Sequence, residues 1–119
     1  VIIGYEIGKI LKKETIFSER VNKKFTLRRD FKIKKKSKVL IIEDVITTGK
    51  SSIECSKLVK KAKAKLIGFA CIIDRSNGKS QIKKTIVSEV KINIPTFSKK
   101  NIPEYLRTIK PSKPGSRGL

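Results

Sequence analysis

Apolar residues recur along this chain in two rhythms, and the switches between them mark out its elements. Over residues 1–11, Ile3, Ile7, Ile10 and Leu11 fall at the three- and four-residue spacing of a helix with one apolar side. Thr15-Ile16-Phe17-Ser18 reads as a short strand. Residues 19–38 are polar and dense in charge, broken only by Phe25-Thr26-Leu27 and Phe31, and predict a mobile loop or hairpin. Val39-Leu40-Ile41-Ile42 is then uninterrupted, the pattern of a parallel-sheet strand covered on both faces. A helix is predicted from near Ser51. Ser51 and Glu54 have capping-box spacing, and Cys55, Leu58, Val59 and Ala62 recur along one face. Residues 66–73 give a second apolar strand, residues 85–94 a looser third, and residues 103–107 a helical turn. From Lys110 the chain is rich in Pro and Gly and predicts an extended tail. Strand, helix and strand in this order predict an α/β fold, a mainly parallel sheet flanked by helices. Residues 1–109 would form its core and residues 110–119 the tail.

Composition narrows this reading more than it extends it. With 119 residues the chain is one domain. No apolar run approaches the roughly 20 residues that a membrane-crossing helix needs, and Val1-Ile2-Ile3-Gly4 is no secretory leader. A cytoplasmic location is expected. The chain starts at Val1 and contains no Met, so we expect a fragment truncated at its N-terminus. The formal charge is +20, but 24 lysines stand against 6 arginines and they are spread in short runs. Surfaces that read or stack bases favour Arg and aromatic rings, which make up only 6% here. Lys-rich solvated faces are therefore expected, with a basic nucleic-acid-binding module as a lesser alternative. Cys55 and Cys71 lack metal-site spacing and read as buried free thiols. There is no His, which excludes a His-based triad or a His-liganded metal within these residues.

The chemistry gathers in Val39-Leu40-Ile41-Ile42-Glu43-Asp44-Val45-Ile46-Thr47-Thr48-Gly49-Lys50-Ser51. A buried strand delivers two adjacent carboxylates to its C-terminal end, where open α/β sheets bind ligands. A loop of hydroxyls and one Gly follows and runs into a helix N-terminus, whose free N–H groups and dipole favour phosphate. Carboxylates are acceptors suited to vicinal sugar hydroxyls. An acid pair followed by a phosphate loop describes a ribose 5-phosphate site. Gly49-Lys50-Ser51 also matches the end of a nucleotide P-loop, but the first Gly of that motif would fall on Asp44, so that reading fails. A buried strand and capped helix without a ligand would leave the paired carboxylates unexplained.

Residues 39–51 resemble the phosphoribosyl-pyrophosphate-binding motif of type I phosphoribosyltransferases: an apolar strand, an acid pair, then Thr-Thr-Gly. Three further segments resemble orotate phosphoribosyltransferases. Glu19-Arg20 with Phe25-Thr26-Leu27-Arg28-Arg29-Asp30-Phe31 is similar to their catalytic loop and hairpin. Cys71-Ile72-Ile73-Asp74-Arg75 is similar to the strand whose terminal Arg binds orotate. Lys113-Pro114-Gly115-Ser116-Arg117-Gly118-Leu119 is similar to their C-terminus.

The resemblance implies transfer of 5-phosphoribosyl from phosphoribosyl pyrophosphate to orotate, giving orotidine 5′-monophosphate and pyrophosphate in pyrimidine nucleotide synthesis. It implies Mg²⁺, held mainly by the substrate near Glu43 and Asp44, and a homodimer that shares loop residues. Residues carried over as phosphoribosyl-pyrophosphate binders are Arg20, Glu43, Asp44, Val45, Ile46, Thr47, Thr48, Gly49, Lys50 and Ser51. Thr47 and Arg75 would meet orotate. Lys24 and Asp44 would be catalytic, with Lys23 an alternative register for Lys24. The lesser functional alternative is a purine or uracil phosphoribosyltransferase. The family's N-terminal hood and pyrophosphate loop have no counterpart here, so the isolated fragment is expected to be inactive.

Overall fold

The computed structural model describes residues 1–98 and 100–110. Its elements are α1 (Ile2–Leu11), β1 (Ser18–Val21), β2 (Lys24–Leu27), β3 (Lys38–Ile46), α2 (Lys50–Lys61), β4 (Lys65–Asp74), β5 (Ile86–Lys91) and α3 (Glu104–Arg107). The expected tail, residues 110–119, lies outside the described residues except for Lys110.

β3, β4 and β5 form a parallel sheet in that order, with Ile41 opposite Phe69 and Phe69 opposite Ile86. Parallel neighbours need a crossover between them, and α2 supplies the one from β3 to β4. In-register partners point to the same face. Ile41, Phe69 and Cys71 therefore share a side and join Ile46, Val59 of α2 and Ile82 in the buried core. The expectation of strands covered on both faces needs correction. On the alternate face Val87 is 63% exposed and Ile72 43%, and α1 packs mainly on β3.

Two local expectations also change. The first strand is Ser18–Val21, not residues 15–18. Phe17 instead packs edge-on against Phe31, their ring centroids 5.1 Å apart. The charged stretch after it opens with the hairpin that its pattern allowed. β1 and β2 pair antiparallel around Asn22 and Lys23, both at positive φ, as a two-residue type I′ turn requires. The capping box does not form. α2 starts one residue earlier, with Gly49 at the N-cap and no side-chain cap, so Ser51 already lies within the first turn. Glu54 turns instead toward the hairpin.

Candidate active site

β3 runs four residues further than its apolar stretch, so Glu43 and Asp44 sit within the strand near its C-terminal end. From there the chain enters residues 47–49 and then α2. Gly49 makes this turn possible in two ways. Its φ of +75° is costly for any residue with a Cβ. A Cβ there would also stand 2.6 Å from Ser80 Oγ and 2.7 Å from Ile82 Cγ1. In the fold, the neighbour that needs its missing side chain is the segment at residues 80–82. That segment braces the loop from behind, with the Gln81 N–H donating to the Thr48 carbonyl at 3.0 Å.

These pieces enclose a cleft of about 530 Å³. Along it run Glu43, Asp44, Val45, Thr47, Thr48, Gly49, Lys50 and Ser51, all anticipated from the sequence, and Arg20 reaches it from the hairpin. Ser51 and Ser52 open α2 with backbone N–H groups that meet no acceptor among the described residues, which leaves them available to an anion. Lys50 adds a full positive charge at the same end.

The two carboxylates differ in setting. Asp44 is exposed and accepts a hydrogen bond from the Val45 N–H at 2.9 Å. Glu43 is half-buried and accepts from the Ser52 hydroxyl at 3.2 Å. Burial pushes the Glu43 carboxyl above its ordinary range, with Ser52 opposing the shift and the Asp44 charge adding to it. Among the described residues no group of three His, Cys, Asp or Glu could hold a metal ion.

Some anticipated residues stand elsewhere. Ile46 is only 1% exposed and belongs to the core beneath the loop. Lys24 is exposed on β2 and does not line the cleft. Arg75 follows β4 at the same sheet edge, its N–H donating to the Ile46 carbonyl at 2.8 Å, but it too lies outside the lining. Its Nε is buried and meets no partner among the described residues. Asp74 does not pair with Arg75. It accepts from the Ser76 N–H at 2.8 Å, and its contacts with Ser76 hold its carboxyl below the usual range.

The sequence reading missed Ser18, Phe25 and Ser52 in the lining. Ser52 lies one residue past the motif, at a polar position of the first helical turn, and could have been found by continuing the loop. Cys71 is buried and Cys55 half-buried, and burial pushes both thiols up, away from reactivity.

A family model, the phosphoribosyl transferase domain, matches residues 7–107. The chain belongs to this family, and its sheet, crossover helix and acid-pair loop are those of a type I phosphoribosyltransferase fold. Among its relatives, the orotate phosphoribosyltransferase of Parvibaculum lavamentivorans is 38% identical over 119 residues, 100% of this chain and 61% of that protein. That of Methylorubrum populi is 43% identical over 120 residues, again covering 100% and 61%. That of Erythrobacter litoralis is 42% identical over 116 residues, covering 98% and 60%. The chain thus spans about 61% of the length of such relatives. A solved adenine phosphoribosyltransferase from Leishmania donovani is 19% identical, with a TM-score of 0.45, over 69% of this chain and 43% of that one.

Proposed function

We propose that this chain forms the ribose-phosphate-binding part of an orotate phosphoribosyltransferase. Such an enzyme joins orotate to phosphoribosyl pyrophosphate and releases orotidine 5′-monophosphate and pyrophosphate, a step of pyrimidine synthesis expected in the cytoplasm. The observation that carries the reading is the convergence of paired carboxylates, a hydroxyl-lined loop and an open helix N-terminus on one cleft. The names of the relatives over the whole chain support orotate as the base.

The residues then divide the work by their chemistry. Residues 47–51 hold the 5′-phosphate through hydroxyls and N–H groups. Glu43 and Asp44 accept from the ribose hydroxyls, which fixes the sugar and places negative charge near the C1 that becomes electron-poor as pyrophosphate leaves. Arg20 meets the pyrophosphate. Thr47 and Arg75 receive orotate at the sheet edge, where a guanidinium suits a planar carboxylate. Lys24 does not line its own cleft, which fits a role in the cleft of a second copy within a homodimer. Two carboxylates beside a site for phosphates also fit Mg²⁺, which is commonly bound by one or two carboxylates together with substrate phosphates. Mg²⁺ would neutralise the diphosphate charge when bound.

Calorimetric titration of the chain with ribose 5-phosphate tests the cradle, and orotate-dependent pyrophosphate release by the whole protein tests the reaction. We expect saturable ribose 5-phosphate binding that phosphate competes away, and pyrophosphate release with orotate but not with uracil or adenine. No ribose 5-phosphate binding, or release driven equally by uracil, would overturn the reading.

A further inference from the structure

We infer that Glu54 is a positioning residue, whose carboxylate aims the Arg20 guanidinium at the leaving diphosphate. The inference rests on the function proposed above and adds to it a residue outside the motif. Arg20 Nη2 donates to Glu54 Oε2 at 2.7 Å and Nη1 donates to Oε1 at 3.2 Å, a bidentate pair between hairpin and helix. Nη1 also donates to the Lys23 carbonyl at 2.8 Å. The guanidinium carbon stands 4.2 Å from the centre of the Phe25 ring, so that ring covers one of its faces.

Counting donors shows what this arrangement leaves available. A guanidinium carries five N–H groups. Three are taken: Glu54 accepts the Nη1–H and Nη2–H of the end-on side, and the Lys23 carbonyl accepts the other Nη1–H. The Nε–H and the second Nη2–H meet no acceptor among the described residues, and together they form the side-on fork. That fork has the geometry of a bidentate phosphate contact. Arg20 itself lines the cleft. Glu54 therefore leaves the phosphate-binding edge of Arg20 open while immobilising a long side chain that would otherwise sample many rotamers.

A mask would look different, because it would occupy the side-on fork as well. Stability alone is a weak reason for the pair, since an ion pair with Arg20 42% exposed contributes little. Holding the guanidinium before ligand arrives removes part of the ordering cost of binding. Only ligands that reach Arg20 gain from this; the 5′-phosphate, seated at residues 47–51, does not.

The test is calorimetry on the chain with two ligands, ribose 5-phosphate and phosphoribosyl pyrophosphate, for wild type, Glu54→Ala and the exchange Arg20→Glu/Glu54→Arg. Glu54→Ala should bind phosphoribosyl pyrophosphate about five- to tenfold more weakly, the cost of ordering one long side chain. Its ribose 5-phosphate affinity should match wild type. The exchange should restore the ion pair and the melting temperature without restoring diphosphate affinity. Unchanged or tighter diphosphate binding by Glu54→Ala, equal loss of both ligands, or recovery of diphosphate affinity in the exchange would each overturn the inference. If wild type binds neither ligand, the proposed function fails and this inference falls with it. If wild type binds both and Glu54→Ala is unaffected, this inference alone fails.

Discussion

Replacing Gly49 by Ala should be among the most damaging single-methyl changes available in this chain, and its cost can be built from two separate sources. The first is conformational: at φ +75° an L-residue with a Cβ is disfavoured by about 1–2 kcal/mol. The second is steric. The new Cβ would meet Ser80 Oγ at 2.6 Å and Ile82 at 2.7 and 2.9 Å. Ile82 is a buried core residue, 9% exposed, with little room to move. Forcing a methyl group into such packing costs about 1–3 kcal/mol. The sum, about 2–5 kcal/mol, is a large part of the roughly 5–15 kcal/mol that stabilises a whole domain.

Gly78 separates the two sources. Its φ is +71°, yet a Cβ there meets nothing within 4 Å. Gly78→Ala should therefore show the conformational cost alone, about 1–2 kcal/mol. Urea denaturation of wild type and both variants gives the comparison, with equal m-values required before midpoints are compared. Because relief of the clash pushes residues 47–49 toward the cleft, Gly49→Ala should also weaken ribose 5-phosphate binding, and Gly78→Ala should not. Equal losses of stability in the two variants would refute the close approach of residues 80–82 to the loop.

Three further outcomes are expected. Arg75→Ala should weaken orotate about ten- to a hundredfold, the worth of hydrogen bonds to a charged group, and leave phosphoribosyl pyrophosphate affinity intact; calorimetry with each ligand checks this, and equal losses would make Arg75 structural. Asp44→Asn should keep the melting temperature, because Asp44 is exposed, while lowering pyrophosphate release by the whole protein at least about tenfold, on the order of one lost charged contact; near-normal turnover would remove Asp44 from the chemistry. Glu43→Gln should stabilise the ligand-free chain at neutral pH. The folded-state carboxyl of Glu43 is raised from its ordinary 4.5, so wild type carries the penalty of a half-buried charge above that folded value. Below 4.5 Glu43 is protonated in both folded and unfolded chains and the advantage of Gln disappears. Melting curves across that range check the sign, and a Gln variant less stable at pH 7 than at pH 4, relative to wild type, contradicts it.

The strand-loop-helix order was legible in the sequence because local signals there agree. An apolar run needs burial, a Thr-Thr-Gly turn breaks it, and a three- and four-residue period resumes at once. The acid pair and the loop reached one cleft because all of them follow from a single continuous segment, residues 43–51. Where the deciding contact lay far along the chain, local pattern misled. Ser51 and Glu54 have the spacing of a capping box, but Glu54 is drawn away by Arg20, thirty-four positions earlier, and Gly49 takes the N-cap instead. Phe17 has strand character, yet it leaves the strand to meet Phe31. Lys24 and Arg75 carry suitable charges, but strand pairing and sheet order decide where those charges stand, and neither lines the cleft. Ser52, Phe25 and the Arg20–Glu54 pair became visible only in the fold, since hydrogen bonds and ring contacts depend on distances that chain spacing does not set. The sequence by itself determined which chemistry the chain carries and the class of sheet that presents it. Tertiary packing decided which side chains meet, because each such meeting sets one local preference against a competing contact brought in from elsewhere in the chain.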